Sequence, residues 1–169
     1  YDAGKTRVYL MEKVTSFNIP ATLTDDSFLD LLAANPNLTS ITSDNPDFKV
    51  VGGVIHNADM EPVFFPSFVT SYTIPKDVAI DGSYLSELQS LLSGTKVSAV
   101  AIEEGNTSAY FADFGALYTS DGTLAFVPAK METFTISKRA TLISGSGLFS
   151  GTAVKTVTYD KSKGDPSGK

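Results

Sequence analysis

The chemistry open to this sequence is limited by its single histidine, His56, and by the absence of cysteine. His56 ends a predicted strand, where it could act as a general acid or base near neutral pH, or could face water as an ordinary strand-end residue. Metal sites that need several histidines or any cysteine are excluded. The carboxylates between residues 44 and 61 lack the spacing of a calcium or magnesium loop. We therefore expect neither a metal nor a cofactor.

Two other groups of reactive residues do not match catalytic motifs. The run Gly145-Ser146-Gly147 is too short for the Gly-x-Ser-x-Gly turn of a serine hydrolase. It is not a phosphate-binding loop either, because no Lys-Ser/Thr pair ends it and a strand, rather than a helix, is predicted to follow. Glu103 and Glu104 are neighbours in a predicted turn, so their carboxylates would point apart as solvated groups.

Composition and charge predict one globular domain that binds neither nucleic acid nor a membrane. The chain has 169 residues, of which 42% are hydrophobic, and a formal net charge of −6. A chain of this length can bury a core of its own. No basic cluster is present to bind nucleic acid or anionic lipid, and no apolar run is long enough to span a bilayer. Because the chain begins with Tyr1, a signal peptide removed earlier would not be visible.

The elements that would position the reactive residues are short β-strands separated by turns. Runs rich in β-branched and aromatic residues alternate with turns marked by Gly, Pro and Asp, which is typical of an all-β fold. Helices are predicted only near residues 27–34 and 83–93. We expect a β-barrel domain over residues 1–160, a polar C-terminal tail over residues 161–169, and no internal repeat.

A glycine-rich corner over residues 140–151 joins two of these strands. Gly145, Gly147 and Gly151 mark backbone that needs a positive φ or a close approach. We predict that at least one of these glycines has a backbone angle that other residues avoid. We also predict that Phe149, the large apolar residue among them, is buried under the turn.

Two segments carry a family resemblance: residues 110–115, Tyr-Phe-Ala-Asp-Phe-Gly, and residues 141–151, Thr-Leu-Ile-Ser-Gly-Ser-Gly-Leu-Phe-Ser-Gly. In order and chemistry they resemble the C-terminal half of the allene oxide cyclase family, with a longer spacing between the two blocks. That family is similar in fold to plant dirigent proteins and to microbial natural-product cyclases. The resemblance implies an all-β fold, a single antiparallel eight-stranded β-barrel with two short helices and a hydrophobic lumen.

The resemblance also implies a function, that of a cofactor-free cyclase or isomerase that folds a hydrophobic small molecule in the barrel lumen. The chain departs from the plant enzymes, because alignment of the first strands puts Leu10 where that family has Glu, and Glu12 where it has Asn. A different ring closure, such as a pericyclic [4+2] reaction in natural-product biosynthesis, is therefore expected. Holding a flexible substrate in its reactive conformer lowers the entropic part of the barrier without an acid or base.

The predicted site residues lie on predicted strands or strand ends. The expected catalytic residues are Glu12 and Tyr110, and the expected substrate-binding residues are Tyr9, His56, Tyr118 and Met131. The expected partner is an apolar small molecule, bound by a protein that forms a homodimer or a homotrimer.

Two alternatives to the cyclase stay open. The chain could be a dirigent-like or other small-molecule-binding barrel without turnover, or a structural surface protein whose barrel is filled by its own side chains. An open lumen with a buried polar group would favour the cyclase, and a lumen packed solid would exclude both the cyclase and the carrier. The localisation depends on the function: cytoplasmic for a biosynthetic cyclase, secreted for a dirigent-like protein.

Overall fold

Twelve short strands and two helices make up the part of the chain that the computed structural model describes, residues 14–143 and 147–160. In chain order they are β1 (Ser16–Ile19), α1 (Phe28–Ala33), β2 (Ser40–Ser43), β3 (Lys49–Val51), β4 (Val54–His56), β5 (Pro62–Phe64), β6 (Ser71–Ile74), α2 (Gly82–Leu92), β7 (Ala99–Ile102), β8 (Tyr110–Asp113), β9 (Ala116–Thr119), β10 (Leu124–Phe126), β11 (Thr133–Ile136) and β12 (Thr156–Tyr159). Both predicted helices are present, and each begins and ends close to its predicted bounds. The tail predicted for residues 161–169 lies outside the described residues.

The described strands form five small sheets instead of one. Three sheets are parallel pairs, β1–β2, β6–β7 and β11–β12. The other two are antiparallel and three-stranded, β3–β4–β5 and β8–β9–β10. The predicted single antiparallel eight-stranded barrel is therefore wrong, although the chain is rich in β-structure.

The parallel pairs follow from the length of the connections inside them. These connections span positions 20–39, 75–98 and 137–155, and in the first two of them a helix lies between the paired strands. A long connection can return the chain to the start of the first strand, so that the second strand runs in the same direction. Because alternating apolar and polar residues mark parallel and antiparallel strands alike at a solvated sheet, the sequence pattern did not reveal this difference.

Local sequence signals account for both helices. Asp81 caps α2, since its carboxylate accepts a hydrogen bond from the backbone N–H of Tyr84 at 2.8 Å. Three buried leucines then follow at helical spacing. α1 begins after Ser27, whose backbone N–H donates to the Asp25 carboxylate at 2.7 Å.

The chain divides into two compact units, an N-terminal unit, Tyr1–Thr70, and a C-terminal unit, Ser71–Lys169. Each unit has an apolar core of its own. In the N-terminal unit the core residues are Ile19, Leu23, Phe28, Leu32, Leu38, Ile41 and Ile55. In the C-terminal unit one core cluster consists of Ala116, Tyr118, Leu124, Val127, Met131 and Phe134.

The two units repeat one arrangement of strands, contrary to our expectation of no internal repeat. A constant shift in residue number, the one that takes Val50 to Ala112, carries the β3–β4–β5 sheet onto the β8–β9–β10 sheet with the same pairing. Thus Val50 pairs with Ile55 in the first sheet, and Ala112 pairs with Leu117 in the second. The irregularity in the β4–β5 pairing also recurs between β9 and β10.

Few side chains are identical at this shift, which is why the repeat is not apparent from residue identity. The identical pairs within the two sheets and their turns include Gly53 and Gly115, Asp59 and Asp121, Phe64 and Phe126, and Pro66 and Pro128. The repeated properties are the strand pairing and the turn conformation, which many different side chains can satisfy.

The turns inside the three-stranded sheets repeat their backbone conformation as well. The β3–β4 turn has Gly52 at φ 59° and Gly53 at φ 82°, and the β8–β9 turn has Phe114 at φ 50° and Gly115 at φ 80°. Two consecutive positive φ values are typical of a type I′ turn, which favours glycine. A side chain at Gly115 would also place its Cβ 2.8 Å from the Cβ of Ala99, so glycine is needed there for space as well.

The glycine-rich corner is as predicted in its backbone but not in its packing. Gly147 has φ 134° and Gly151 has φ 74°, which confirms the prediction of positive φ, while Gly145 lies outside the described residues. Phe149 is 37% exposed, so the prediction that it is buried is wrong. Its ring packs against the Phe134 ring in a T-shaped arrangement, with 5.1 Å between the centroids.

Candidate functional site

Of the six predicted site residues, the structure describes four: His56 in the N-terminal unit, and Tyr110, Tyr118 and Met131 in the C-terminal unit. The other two, Tyr9 and Glu12, lie outside the described residues. Tyr118 and Met131 belong to the core of their unit, and Tyr110 is half-buried on the neighbouring strand. The structure therefore brings three of the six into one unit but packs two of them inside it. Their predicted roles in binding and catalysis stay predictions.

His56 lies in the centre strand of the β3–β4–β5 sheet and is completely buried. Its Nδ1 is 3.1 Å from the backbone carbonyl oxygen of Val54. Burial lowers the pKa of the imidazole below its ordinary value, because the charged ring would lose its hydration. The ring is therefore neutral at pH 7, and backbone groups of its own strand and of the neighbouring strand β3 hold it in place.

Tyr118 takes the position in the C-terminal unit that His56 takes in the N-terminal unit, at the same shift that relates the two sheets. It is completely buried, and its ring stacks on Phe111 with 5.2 Å between centroids and 10° between planes. Its hydroxyl accepts a hydrogen bond from the backbone N–H of Ser137 at 3.3 Å. Burial raises the pKa of the phenol, so it stays protonated. The same position thus holds two different side chains, and both are used in packing.

Tyr118 belongs to a cluster that also contains an arginine, an aspartate, a serine and a phenylalanine. The guanidinium carbon of Arg139 lies 3.7 Å from the centroid of the Phe111 ring, on which Tyr118 also stacks. Arg139 forms an ion pair with Asp113 at 3.6 Å, and the Ser137 hydroxyl donates to the same carboxylate at 2.7 Å. We call these five residues the Arg139 cluster.

The bonding within the Arg139 cluster fits a structural role better than a catalytic one. The Ser137 hydroxyl is buried, donates to Asp113, and accepts from the Arg139 backbone N–H at 3.0 Å. The Asp113 carboxylate that accepts from Ser137 is also held in the ion pair with Arg139. The contacts instead join β8, β9 and the segment after β11.

Sequence reasoning did not identify Asp113, Ser137 and Arg139 as partners. Asp113 is distant in sequence from the other two, and no motif marks an ion pair between a strand end and a much later turn. Asp113 did fall within the segment that carried the family resemblance. Asp113 anchors the turn that follows β11 through its contacts with Ser137 and Arg139.

Two asparagines, Asn45 and Asn106, form equivalent bridges in the two units and were also missed. The Asn45 amide donates to the backbone oxygens of Pro20 at 2.9 Å and Leu23 at 2.7 Å. The Asn106 amide likewise donates to two backbone oxygens, of Pro75 at 3.0 Å and of Val78 at 2.8 Å.

Each amide thus ties the loop after the second strand of a parallel pair to the loop after the first. Asn45 and Asn106 are related by nearly the same shift as the two three-stranded sheets. The matching positions of the two asparagines are the sequence signal for the two bridges. This signal can be recognised only once the repeat is known.

The depressions on the described surface include two shallow ones, one in each unit, and both are largely open to solvent. The first is lined by Ile41, Thr42, Ser43, Asn45, Phe48, Lys49 and Val50. The second lies on α2 and is lined by Ser83, Ser86, Glu87, Ser90 and Leu91. Neither contains a predicted site residue, so neither supports the predicted substrate site.

Within residues 14–143 and 147–160, no group of three or more His, Asp or Glu side chains could hold a metal ion. In the same residues, neither helix combines the length and the apolar character needed to cross a bilayer.

Comparison with known proteins gives no family assignment. No family model matches the chain, and no curated protein matches it. A leucine rich cell surface protein from Faecalibacterium prausnitzii A2-165 of known crystal structure is similar, with 16% sequence identity and a TM-score of 0.33. The match covers 89% of this chain and 49% of that chain, so this chain spans about half the length of that protein. A TM-score of this size carries no argument about fold or function.

Proposed function

We propose that this chain is a non-catalytic scaffold built from a repeated β-unit. The observation that carries the proposal is the equivalence of His56 and Tyr118. Both are completely buried at the same position of the repeated sheet, and each is held by hydrogen bonds to backbone groups. A catalytic residue depends on its particular chemistry, whereas this position accepts either an imidazole or a phenol and uses it to fill the core.

The remaining polar groups near the predicted site support the same proposal. Asp113, Ser137 and Arg139 bind one another, and the Asn45 and Asn106 amides bind backbone oxygens inside the fold. These groups stabilise the units through satisfied hydrogen bonds. The cyclase predicted from the resemblance would bind its substrate in the lumen of a barrel. The described strands form five small sheets instead of that barrel.

The surface that such a scaffold offers includes the outer faces of its parallel pairs. These faces carry short polar side chains, with the exposed residues Ser16, Asn18, Ser40, Thr42, Ser71, Thr73, Thr133, Thr156 and Thr158. On β1 and β2 they bond to each other, since the Thr42 hydroxyl donates to Asn18 Oδ1 at 2.8 Å. A net charge of −6 favours a neutral or cationic macromolecular partner over nucleic acid or anionic lipid.

The proposal is tested by asking whether the protein binds an apolar small molecule. We expect that a linear polyene fatty acid and the dye 1-anilinonaphthalene-8-sulfonate bind without saturation and leave the unfolding temperature unchanged. A ligand present at about 100 times its Kd would stabilise the folded state by about 2.7 kcal/mol, which thermal unfolding detects readily.

Saturable binding of one polyene per chain would contradict the scaffold and favour the cyclase or the carrier. Tyr110→Phe would then separate a specific site from general adsorption, because the half-buried Tyr110 is the described candidate for a catalytic hydroxyl. Thr73→Val, on an outer sheet face, is the matched control that also removes one hydroxyl.

A further inference from the structure

His56 and Tyr118 occupy equivalent buried positions, but they respond differently to acid. His56 lies in the centre strand of the β3–β4–β5 sheet and Tyr118 in the centre strand of the β8–β9–β10 sheet, and both are completely buried. In water an imidazole takes up a proton below about pH 6.5, whereas a phenol stays neutral below about pH 10. The repeat therefore places a base that titrates in mild acid in one sheet, and a side chain that does not titrate there in the other.

No buried carboxylate accompanies His56 in the described part of the N-terminal unit. On β3 its partner in register is Lys49, which is exposed and whose amine donates to the Ala58 oxygen at 3.0 Å. On β5 its partner is Pro62, and the preceding Glu61 is exposed. The remaining charged residues described in this unit are exposed or half-buried carboxylates, Asp25, Asp26, Asp30, Asp44, Asp47 and Asp59. A protonated ring would therefore be a buried cation without a buried counter-charge, which is costly.

Hydrogen bonds hold the neutral ring without cancelling the cost of charging it. Backbone groups of Val54 and Lys49 bond to the ring and favour its charged form. Loss of hydration on burial is the larger effect, so the pKa of His56 is lowered. At neutral pH His56 therefore fills the core as Tyr118 does, and the two residues differ only in acid.

We propose that the β3–β4–β5 sheet is an acid-sensitive element, which opens locally when His56 takes up a proton, while the β8–β9–β10 sheet stays closed. An open sheet hydrates the imidazolium, so acid stabilises the open form of the sheet that holds His56. Opening exposes Val54 and Ile55, which are buried beside His56 on β4. Acid thus changes the surface of the N-terminal unit alone. This inference does not depend on the scaffold proposal, because an enzyme with the same sheet would respond in the same way.

Hydrogen–deuterium exchange of the full chain, followed by mass spectrometry of its peptides, tests the proposal. After correction for the pH dependence of intrinsic exchange, the protection of β3–β5 should fall about tenfold between about pH 7.5 and about pH 5.5. The protection of β8–β10 should change less than about twofold, because carboxylates titrate mostly below this range.

Substitution of the two equivalent residues assigns the response. His56→Tyr gives the first sheet the residue that the second one has, and it should abolish the loss of protection in β3–β5. His56→Gln should do the same, and it is the variant to use if the larger phenol prevents folding at neutral pH. Tyr118→Phe is the matched control, because it also alters a buried ring in a centre strand but changes no group that titrates in this range. It should leave the loss in β3–β5 unchanged.

Two results would overturn the proposal. One is an equal loss of protection in both sheets of the unaltered chain, because acid would then act on the whole molecule. The other is a loss in β3–β5 that persists after His56 is replaced, because groups other than the imidazole would then cause it.

Discussion

Phe114 has a left-handed backbone conformation that suits glycine, and a glycine occupies the equivalent position in the other unit. The φ of Phe114 is 50°, and Gly52 takes the same place in the β3–β4 turn at φ 59°. A residue with a side chain destabilises the folded state by about 1–2 kcal/mol when it adopts a left-handed conformation. Glycine avoids this cost, but its greater flexibility stabilises the unfolded state by about half as much. We predict that Phe114→Gly raises the free energy of unfolding by about 0.5–1 kcal/mol, as measured by urea denaturation.

The neighbouring glycine provides the control for that experiment. Gly115→Ala should lower the free energy of unfolding by about 2–4 kcal/mol, since it combines a positive φ with overpacking. The added Cβ would lie 2.8 Å from the Cβ of Ala99 and 3.3 Å from Cε of Met131. If Phe114→Gly destabilises the protein, the turn does not strain Phe114 in the way we infer.

The burial of His56 should make the free energy of unfolding depend on pH. Its folded-state pKa is lowered by burial, so the unfolded chain binds a proton that the folded chain does not. Stability from this residue is therefore present above its unfolded pKa of about 6.5 and is lost as the pH falls below it. Between pH 7.5 and pH 5.5 we expect a loss of up to about 1.3 kcal/mol in the free energy of unfolding.

His56→Gln isolates that contribution. Because His56 is the chain's single histidine, and carboxylates titrate mostly below pH 5, little else changes charge in this window. The variant should be less stable at pH 7.5, but its stability should change little between pH 7.5 and pH 5.5. An unchanged pH dependence in the variant would show that His56 does not remain neutral in the folded state.

At the scale of elements, the asparagine bridges hold the parallel pairs in place. Asn106→Asp removes two N–H donors and turns a carboxylate toward the backbone oxygens of Pro75 and Val78. The Val78 oxygen would lose this partner, whereas the Pro75 oxygen would keep the backbone N–H of Val78 at 3.2 Å. An acceptor left unpaired costs about 1–3 kcal/mol, so we predict a loss of about this size in the free energy of unfolding. Chemical denaturation followed by circular dichroism measures it.

The same substitution at an exposed position tests the specificity of this effect. Asn37→Asp adds the same charge at an exposed asparagine, and it should change stability by no more than about 0.5 kcal/mol. Asn45→Asp should match Asn106→Asp, because its amide makes the same two kinds of bond. A large effect at Asn37 with a small one at Asn45 would contradict the equivalence of the two bridges.

At the scale of the whole molecule, the repeat predicts that some segments can be exchanged in one direction but not in the other. Positions 57–61 and 119–123 form equivalent turns, with Met60 at φ 66° and Gly122 at φ 89°. Putting the sequence of positions 119–123 at positions 57–61 replaces Met60 by glycine at a positive φ. We expect stability to stay the same or to rise by up to about 1 kcal/mol.

The reverse exchange should be destabilising. It places methionine at position 122, where an added Cβ would lie 2.9 Å from Thr141 Oγ1. Overpacking together with the positive φ predicts a loss of about 2–4 kcal/mol. Equal effects in the two directions, measured by thermal and urea unfolding, would show that the two turns do not have equivalent conformations.

Features that depend on residues a few positions apart could be predicted from the sequence. Both helices were predicted from their apolar spacing and from polar residues at their starts, such as Asp81. The positive φ of Gly147 and Gly151 was predicted because glycine is the residue that adopts it cheaply. The location of short strands between marked turns was predicted from alternation in the same local way.

Which strands pair, and in which direction, depends on contacts between distant parts of the chain. A pattern such as that of positions 133–137 is the same whether the strand meets an antiparallel neighbour in a barrel or β12 in parallel. That choice depends on which apolar faces meet after a long intervening connection, positions 137–155 in this pair. The exposure of Phe149, the bridge from Asn106 to Pro75 and Val78, and the Asp113–Arg139 ion pair depend on the same long-range packing, because each is a contact that no local pattern specifies.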